Sequence, residues 1–145
     1  MILTSKNNPL IRETAFLKEK KGRKELGFFL VEGAKMTSEC QKSGLEIERV
    51  FVSEHYAGET DSSYVRVSEE VFGFLSDEKT PQGILSRVKI PRNSLCPPLD
   101  SCLLLDGVSD PGNMGTIIRT ANAAGYKEIY LAECTDPYSP KSVRA

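Results

Sequence analysis

The chain has 145 residues, 39% hydrophobic and 27% charged, with a net charge of −1, which gives an ordinary globular composition with room for one domain or two small ones. No segment approaches the roughly 18 consecutive apolar residues of a membrane-spanning helix, and the balanced charge gives no global attraction to nucleic acid. The four cysteines, Cys40, Cys96, Cys102 and Cys134, form no C-x-x-C pair and His55 is the only histidine, a set too scattered for a zinc site.

Met1 to Pro9 lack the basic region and apolar run of a secretory signal, so the expectation is a cytoplasmic protein with reduced cysteines. Asn8 to about Arg23 reads as one helix, with Pro9 in its first turn and Leu10, Ala15, Phe16 and Leu17 at rough helical spacing. Gly27 to Val31 reads as a strand. Gly33 then opens a helix from Ala34 to Gln41, which Ser43-Gly44 ends. Ile47 to Val52 and Tyr64 to Val67 read as β-branched strands. Ser68 caps a helix running to about Leu75, with Glu69 and Glu70 in its first turn. A turn at Thr80-Pro81-Gln82-Gly83 leads to a strand at Ile84 to Val88. This alternation predicts a small α/β domain over 1–88. Residues 89–100 contain three prolines, Pro91, Pro97 and Pro98, and read as a linker.

A second α/β unit is predicted over 101–145. It has a buried strand at Cys102 to Leu105, a helix over about 114–124 and a strand over 128–131, joined by a right-handed crossover. Cys102 is expected in the core. Ile117, Ala121 and Ala124 fall at i, i+4 and i+7 and make the predicted buried stripe. Ser139 and Pro140 begin a further helix. One βαβ unit is too little to cover both faces of a parallel sheet, so the second domain is expected to be incomplete in this chain.

Strand, glycine-bearing loop and helix is the arrangement by which α/β proteins present backbone N–H groups to a ligand. The loop here has neither G-x-G-x-x-G nor a Gly-Lys-Ser/Thr ending, which weighs against an unrelated nucleotide-binding enzyme. Asn113 reads either as the N-cap of the helix or as a group shaping an active-site loop. Arg119 lies two residues beyond Ile117, about 200° around the helix, and so points away from the stripe; by spacing it is a surface arginine. Gly107, Gly112 and Gly115 suit loop geometry and close backbone approach. Lys6 to Glu25 hold seven basic and three acidic residues. Within this run Lys18, Lys20, Lys21, Arg23 and Lys24 read either as a solvated helix face or as a local patch for RNA phosphates. Lys141 and Arg144 carry the same two readings. Glu32 and Gly33 read as structural, and His55 as an exposed loop residue.

The order Asp110, Asn113, Gly115, Arg119, Ala121, Gly125 resembles the first motif of the SpoU (TrmH-like) family of RNA ribose methyltransferases, within the SPOUT superfamily. The likeness extends to Leu105–Ala121 and Asp136–Ala145. In the first half it covers Ser5-Lys6-Asn7-Asn8-Pro9, Phe29-Leu30-Val31-Glu32-Gly33 and Thr80-Pro81-Gln82-Gly83. The resemblance implies an L30-like RNA substrate-binding domain followed by the first part of a parallel-sheet, trefoil-knot methyltransferase domain. It implies transfer of a methyl group from S-adenosylmethionine to a ribose 2′-hydroxyl of ribosomal or transfer RNA, by a homodimer. Asn113 and Arg119 are the catalytic residues it implies here, and the cofactor contacts are expected beyond Ala145. The alternative is a non-catalytic RNA-binding module.

Overall fold

The computed structural model describes residues 1–145, which divide into two units, Met1–Pro91 and Arg92–Ala145. The first unit runs β1 (Ile2–Leu3), α1 (Pro9–Phe16), α2 (Lys20–Leu26), β2 (Phe28–Glu32), α3 (Ala34–Lys42), β3 (Ile47–Ser53), β4 (Val65–Val67), α4 (Glu69–Leu75) and β5 (Ile84–Lys89). Its five strands form one mixed sheet in the order β1-β4-β3-β5-β2. The β1–β4 and β3–β4 pairs are parallel, and β5 is antiparallel to both β3 and β2.

Successive side chains on β3 point to opposite faces of the sheet. Phe51 enters a core with Leu30, Leu85, Ile11, Leu17, Val71, Phe72 and Leu75, drawn from strands and from α1 and α4. Val50 and Val52 join Ile84 in a second cluster. Arg87 is also buried, at 4% exposure, and is compensated there by Glu13 at 2.9 Å and Glu48 at 3.1 Å. Its guanidinium lies 4.9 Å from the Phe28 ring centroid.

The single helix expected over 8–23 is two helices. Leu17, Lys18 and Glu19 make i→i−3 bonds to Thr14, Ala15 and Phe16, which closes α1 in a tight turn. The chain then doubles back so closely that a Cβ on Gly22 would overlap the Phe16 carbonyl. Only glycine fits this approach. Arg23 completes the turn: it is 4% exposed and donates to the carbonyls of Leu17 and Lys18 at 3.0 and 2.9 Å. These are orphan acceptors at the end of α1. The charge run is therefore a helix–turn–helix rather than one amphipathic face.

The second unit contains β6 (Leu103–Asp106), α5 (Pro111–Ala123), β7 (Ile129–Ala132) and α6 (Pro140–Arg144). The two strands pair in parallel, Leu103 opposite Ile129 through Asp106 opposite Ala132. The strand expected to be buried is not: Leu104 is 69% exposed, and Cys102 is only half-buried. Two strands and their crossover leave too little cover for a fully apolar run. The predicted stripe on α5 is also displaced. Met114, Gly115 and Ala121 are its buried residues, whereas Ala124 is exposed, because α6 packs against the N-terminal half of α5. The segment 92–102 carries no helix or strand. The Cys96 carbonyl nonetheless accepts a hydrogen bond from the Tyr130 hydroxyl at 2.7 Å.

Candidate functional site

The loop between β6 and α5 is built by residues with separate tasks. Gly107 adopts φ 72° and donates its N–H to the Ala132 carbonyl, and Val108 accepts from Thr135 at 2.8 Å. Asp110 is the N-cap of α5, with Pro111 in the first turn. Its carboxylate accepts the Asn113 N–H at 2.8 Å, satisfying a donor that the helix leaves open. This corrects the N-cap reading of Asn113. Asn113 is the third residue of α5, and its side chain is exposed. The signal for Asp110 lies in the sequence, since Asp before Pro is a helix start.

Asn113, Thr116 and Ile117 lie at i, i+3 and i+4, so they share one side of α5. With Gly107 to Asp110 they line a hollow of about 460 Å³. Its apolar wall is limited to Val108 and Ile117, without the enclosed apolar slot that a purine base requires. No cofactor contact is therefore assigned to the residues of this hollow.

Arg119 is exposed, as its spacing predicts. The structure does not cluster it with Asn113. Six helical residues separate the two by about 9 Å along the axis and about 120° around it. Arg119 follows one turn after Gly115 and Thr116, at the border between the hollow and the seat of α6. That seat explains Gly115. A Cβ there would overlap the Ser142 carbonyl and lie 2.6 Å from the Ala145 Cβ. The α6 helix is capped by Ser139, whose hydroxyl accepts from the Ser142 N–H at 3.3 Å. It carries Lys141 and Arg144, both exposed. Beside it, burial pushes the Tyr138 phenol above its ordinary pKa, against the lowering effect of a hydrogen bond with Asn93.

In the first unit, Lys20, Lys21 and Lys24 are exposed, and Lys21 lies 3.9 Å from Glu25. Lys18 is half-buried, donating to the Phe74 carbonyl at 2.6 Å. Arg23 is the exception among the five basic residues expected to meet RNA, because its guanidinium is spent inside the α1–α2 turn. The remaining motif residues hold the fold. Asn8 caps α1 through the Leu10 N–H at 2.9 Å. Gly33 donates to the Ile84 carbonyl and packs against the Gln82 amide. The Glu32 carboxylate accepts from the Ser76 hydroxyl and the Asp77 N–H. Its pKa is raised, first by burial, against the lowering effect of these hydrogen bonds. His55 is exposed.

Residues 8–86 match the family model of the MRM3-like substrate binding domain, and residues 100–145 match that of the SpoU rRNA Methylase family. The 23S rRNA (guanosine(2553)-2'-O)-methyltransferase RlmP of Bacillus subtilis is 32% identical, over 99% of this chain and 59% of its own length. Mitochondrial rRNA methyltransferase 3 of Mus musculus is 32% identical, over 89% of this chain and 35% of its own. The crystal structure of an rRNA methyltransferase from Sinorhizobium meliloti superposes with a TM-score of 0.84 at 32% identity, over all of this chain and 60% of that one. An AdoMet-bound structure of an rRNA methyltransferase from the same organism gives 0.84 at 31% identity, over all of this chain and 59% of that one. The chain thus spans somewhat more than half the length of its bacterial relatives, and no helix in it is long and apolar enough to cross a membrane. The motif order on α5, the α/β architecture and both family matches agree: the chain belongs to the SpoU rRNA methylase family, with an MRM3-like substrate binding domain ahead of the methylase residues.

Proposed function

We propose that this chain supplies the RNA-docking domain and the opening of the methylase domain of an enzyme that methylates a ribose 2′-hydroxyl of ribosomal RNA. The observation that carries this is the α5 segment: a capped loop with Asn113 exposed beside a hollow and Arg119 exposed six residues further along the helix, within residues that match the SpoU model. S-adenosylmethionine is the proposed methyl donor, in keeping with the AdoMet-bound relative. The L30-like character of the first domain, the trefoil knot, the homodimer and a cytoplasmic location belong to the same proposal. So does a division at 1–88, 89–100 and 101–145.

Arg119 serves as a phosphate clamp. A guanidinium with pKa above about 12 is a poor base near neutral pH, whereas its planar fork suits bidentate contact with the phosphate beside the target ribose. Fixing that phosphate orients the 2′-hydroxyl, and orientation accounts for much of the rate. Asn113 offers an amide donor and acceptor at the mouth of the hollow. Lys141 and Arg144 extend the positive surface on α6, while Lys18, Lys20, Lys21 and Lys24 supply phosphate contacts from the first domain.

The test uses the full-length protein, unmodified ribosomal RNA and S-adenosylmethionine tritiated on its methyl group. Alkali cleaves RNA through the free 2′-hydroxyl, so methylation at that oxygen leaves the label in an alkali-resistant dinucleotide. Label recovered in that form supports the proposal. Label recovered only in mononucleotides, on a base, contradicts it.

A further inference from the structure

A second hollow lies between α1 and α4. It measures about 510 Å³, and its walls include Arg12, Phe16, Lys18 and Phe74. Phe74 is 37% exposed, although its neighbours Phe72 and Leu75 on α4 are fully buried. Two cations flank its ring. Lys18 Nζ lies 5.5 Å from the centroid and Lys6 Nζ 5.9 Å. They come from opposite ends of α1: Lys6 from the loop before it, and Lys18 from the turn after it. Arg12, between them on α1, is exposed.

The local acids offset part of this charge, Lys6 above all, and leave Arg12 exposed on the rim. Glu13 is engaged by the buried Arg87 at 2.9 Å, and Glu70 is held by Lys6 at 2.8 Å. Glu19 also lines the hollow, but it is followed at once by Lys20 and Lys21. An open cavity with an aromatic wall and a cationic rim matches an unstacked nucleotide. The ring receives the base face and the cations receive the flanking phosphates. A duplex offers no free base face, so it cannot use the ring in this way.

We propose that the α1–α4 hollow binds one splayed-out nucleotide of single-stranded RNA, with its base against Phe74 and its phosphates on Arg12 and Lys18. This rests on the reading that the first domain docks RNA, and it names the place and the form of RNA recognised. Phe74 is the residue that converts a salt-dependent patch into a site for an unpaired base.

The test is fluorescence anisotropy of the whole chain with a labelled single-stranded RNA of about 12 nucleotides and with a hairpin duplex of equal charge. Phe74→Ala and Phe74→Leu are compared with the unaltered chain, with circular dichroism to establish folding. Loss of the ring should weaken single-strand binding about tenfold, the leucine variant included, and leave duplex binding and the salt slope unchanged. Arg12→Gln should lower the slope by about 0.7. Unchanged single-strand affinity in the folded leucine variant would overturn the hollow as a site while leaving RNA docking intact. No RNA binding by the unaltered chain would overturn both.

Discussion

Arg23 and Lys24 are neighbours of the same charge with opposite assignments. Arg23 closes the α1–α2 turn through two carbonyls, whereas Lys24 is exposed. Arg23→Met should therefore destabilise the chain by about 2–3 kcal/mol, because buried acceptors lose a charged donor. Lys24→Met should stay within about 0.5 kcal/mol of the parent; urea unfolding of both variants checks the contrast. Glu32 makes a pH-dependent contribution. Its folded pKa is raised, chiefly by burial, so the folded chain holds this proton more tightly than the unfolded one. The stability from this group is complete below the ordinary carboxylate pKa and is lost as pH rises through the raised value. Relative to Glu32→Gln, the parent's urea midpoint should fall as pH rises from about 4 to 7; a constant gap would contradict the assignment. At this scale the sequence disclosed residue types better than tasks. Nothing local in the run from Lys18 to Lys24 shows that one of its cations faces inward, since the acceptors become available only when the chain turns.

Elements marked by local chemistry were legible. Ser68 and Ser139 cap α4 and α6 as their positions predict, and the strands at 47–52 and 84–88 appear with one residue added to each end point, Ser53 and Lys89. What failed depended on approach in space. The break between α1 and α2 is set by contact of Gly22 with the Phe16 carbonyl, and the displaced face of α5 is set by α6. An apolar run such as Leu103 to Leu105 states a preference for burial, but only neighbouring elements can provide it. Gly115 is where two elements depend on one missing methyl group. Gly115→Ala should push α6 away from α5, raising amide exchange through Pro140–Arg144 and costing about 1–3 kcal/mol by overpacking. Hydrogen exchange with mass detection reads this directly. Protection of α6 equal to the parent's would show that the helices accommodate the methyl without separating.

Across the whole molecule, the net charge of −1 conceals a polar division of labour. Lys20, Lys21 and Lys24 of the first unit face solvent on α2, and the second unit contributes Lys141 and Arg144. Affinity for RNA should then arise from local cations and carry a salt dependence despite the global charge. Replacing Lys20, Lys21 and Lys24 together with glutamine should reduce the slope of log affinity against log salt by about 2, as measured by anisotropy. An unchanged slope would place the phosphate surface elsewhere. The family was legible because its motif is a linear string on one loop and helix. The separation of Asn113 from Arg119 follows from the same string, since six helical residues turn the chain by about 120° of phase. No cofactor contact is assigned at the α5-loop hollow, which lacks a purine slot.

The proposed role of Arg119 is to act on RNA in ribose methylation, with no part in holding the methyl donor. The most direct measurement pairs Arg119→Ala with the parent in the full-length protein, reading methyl transfer into alkali-resistant dinucleotide and S-adenosylmethionine affinity by calorimetry. Transfer should be lost while cofactor affinity stays within about twofold, as expected for a group that contacts only the RNA. Undiminished transfer by the alanine variant would contradict this role.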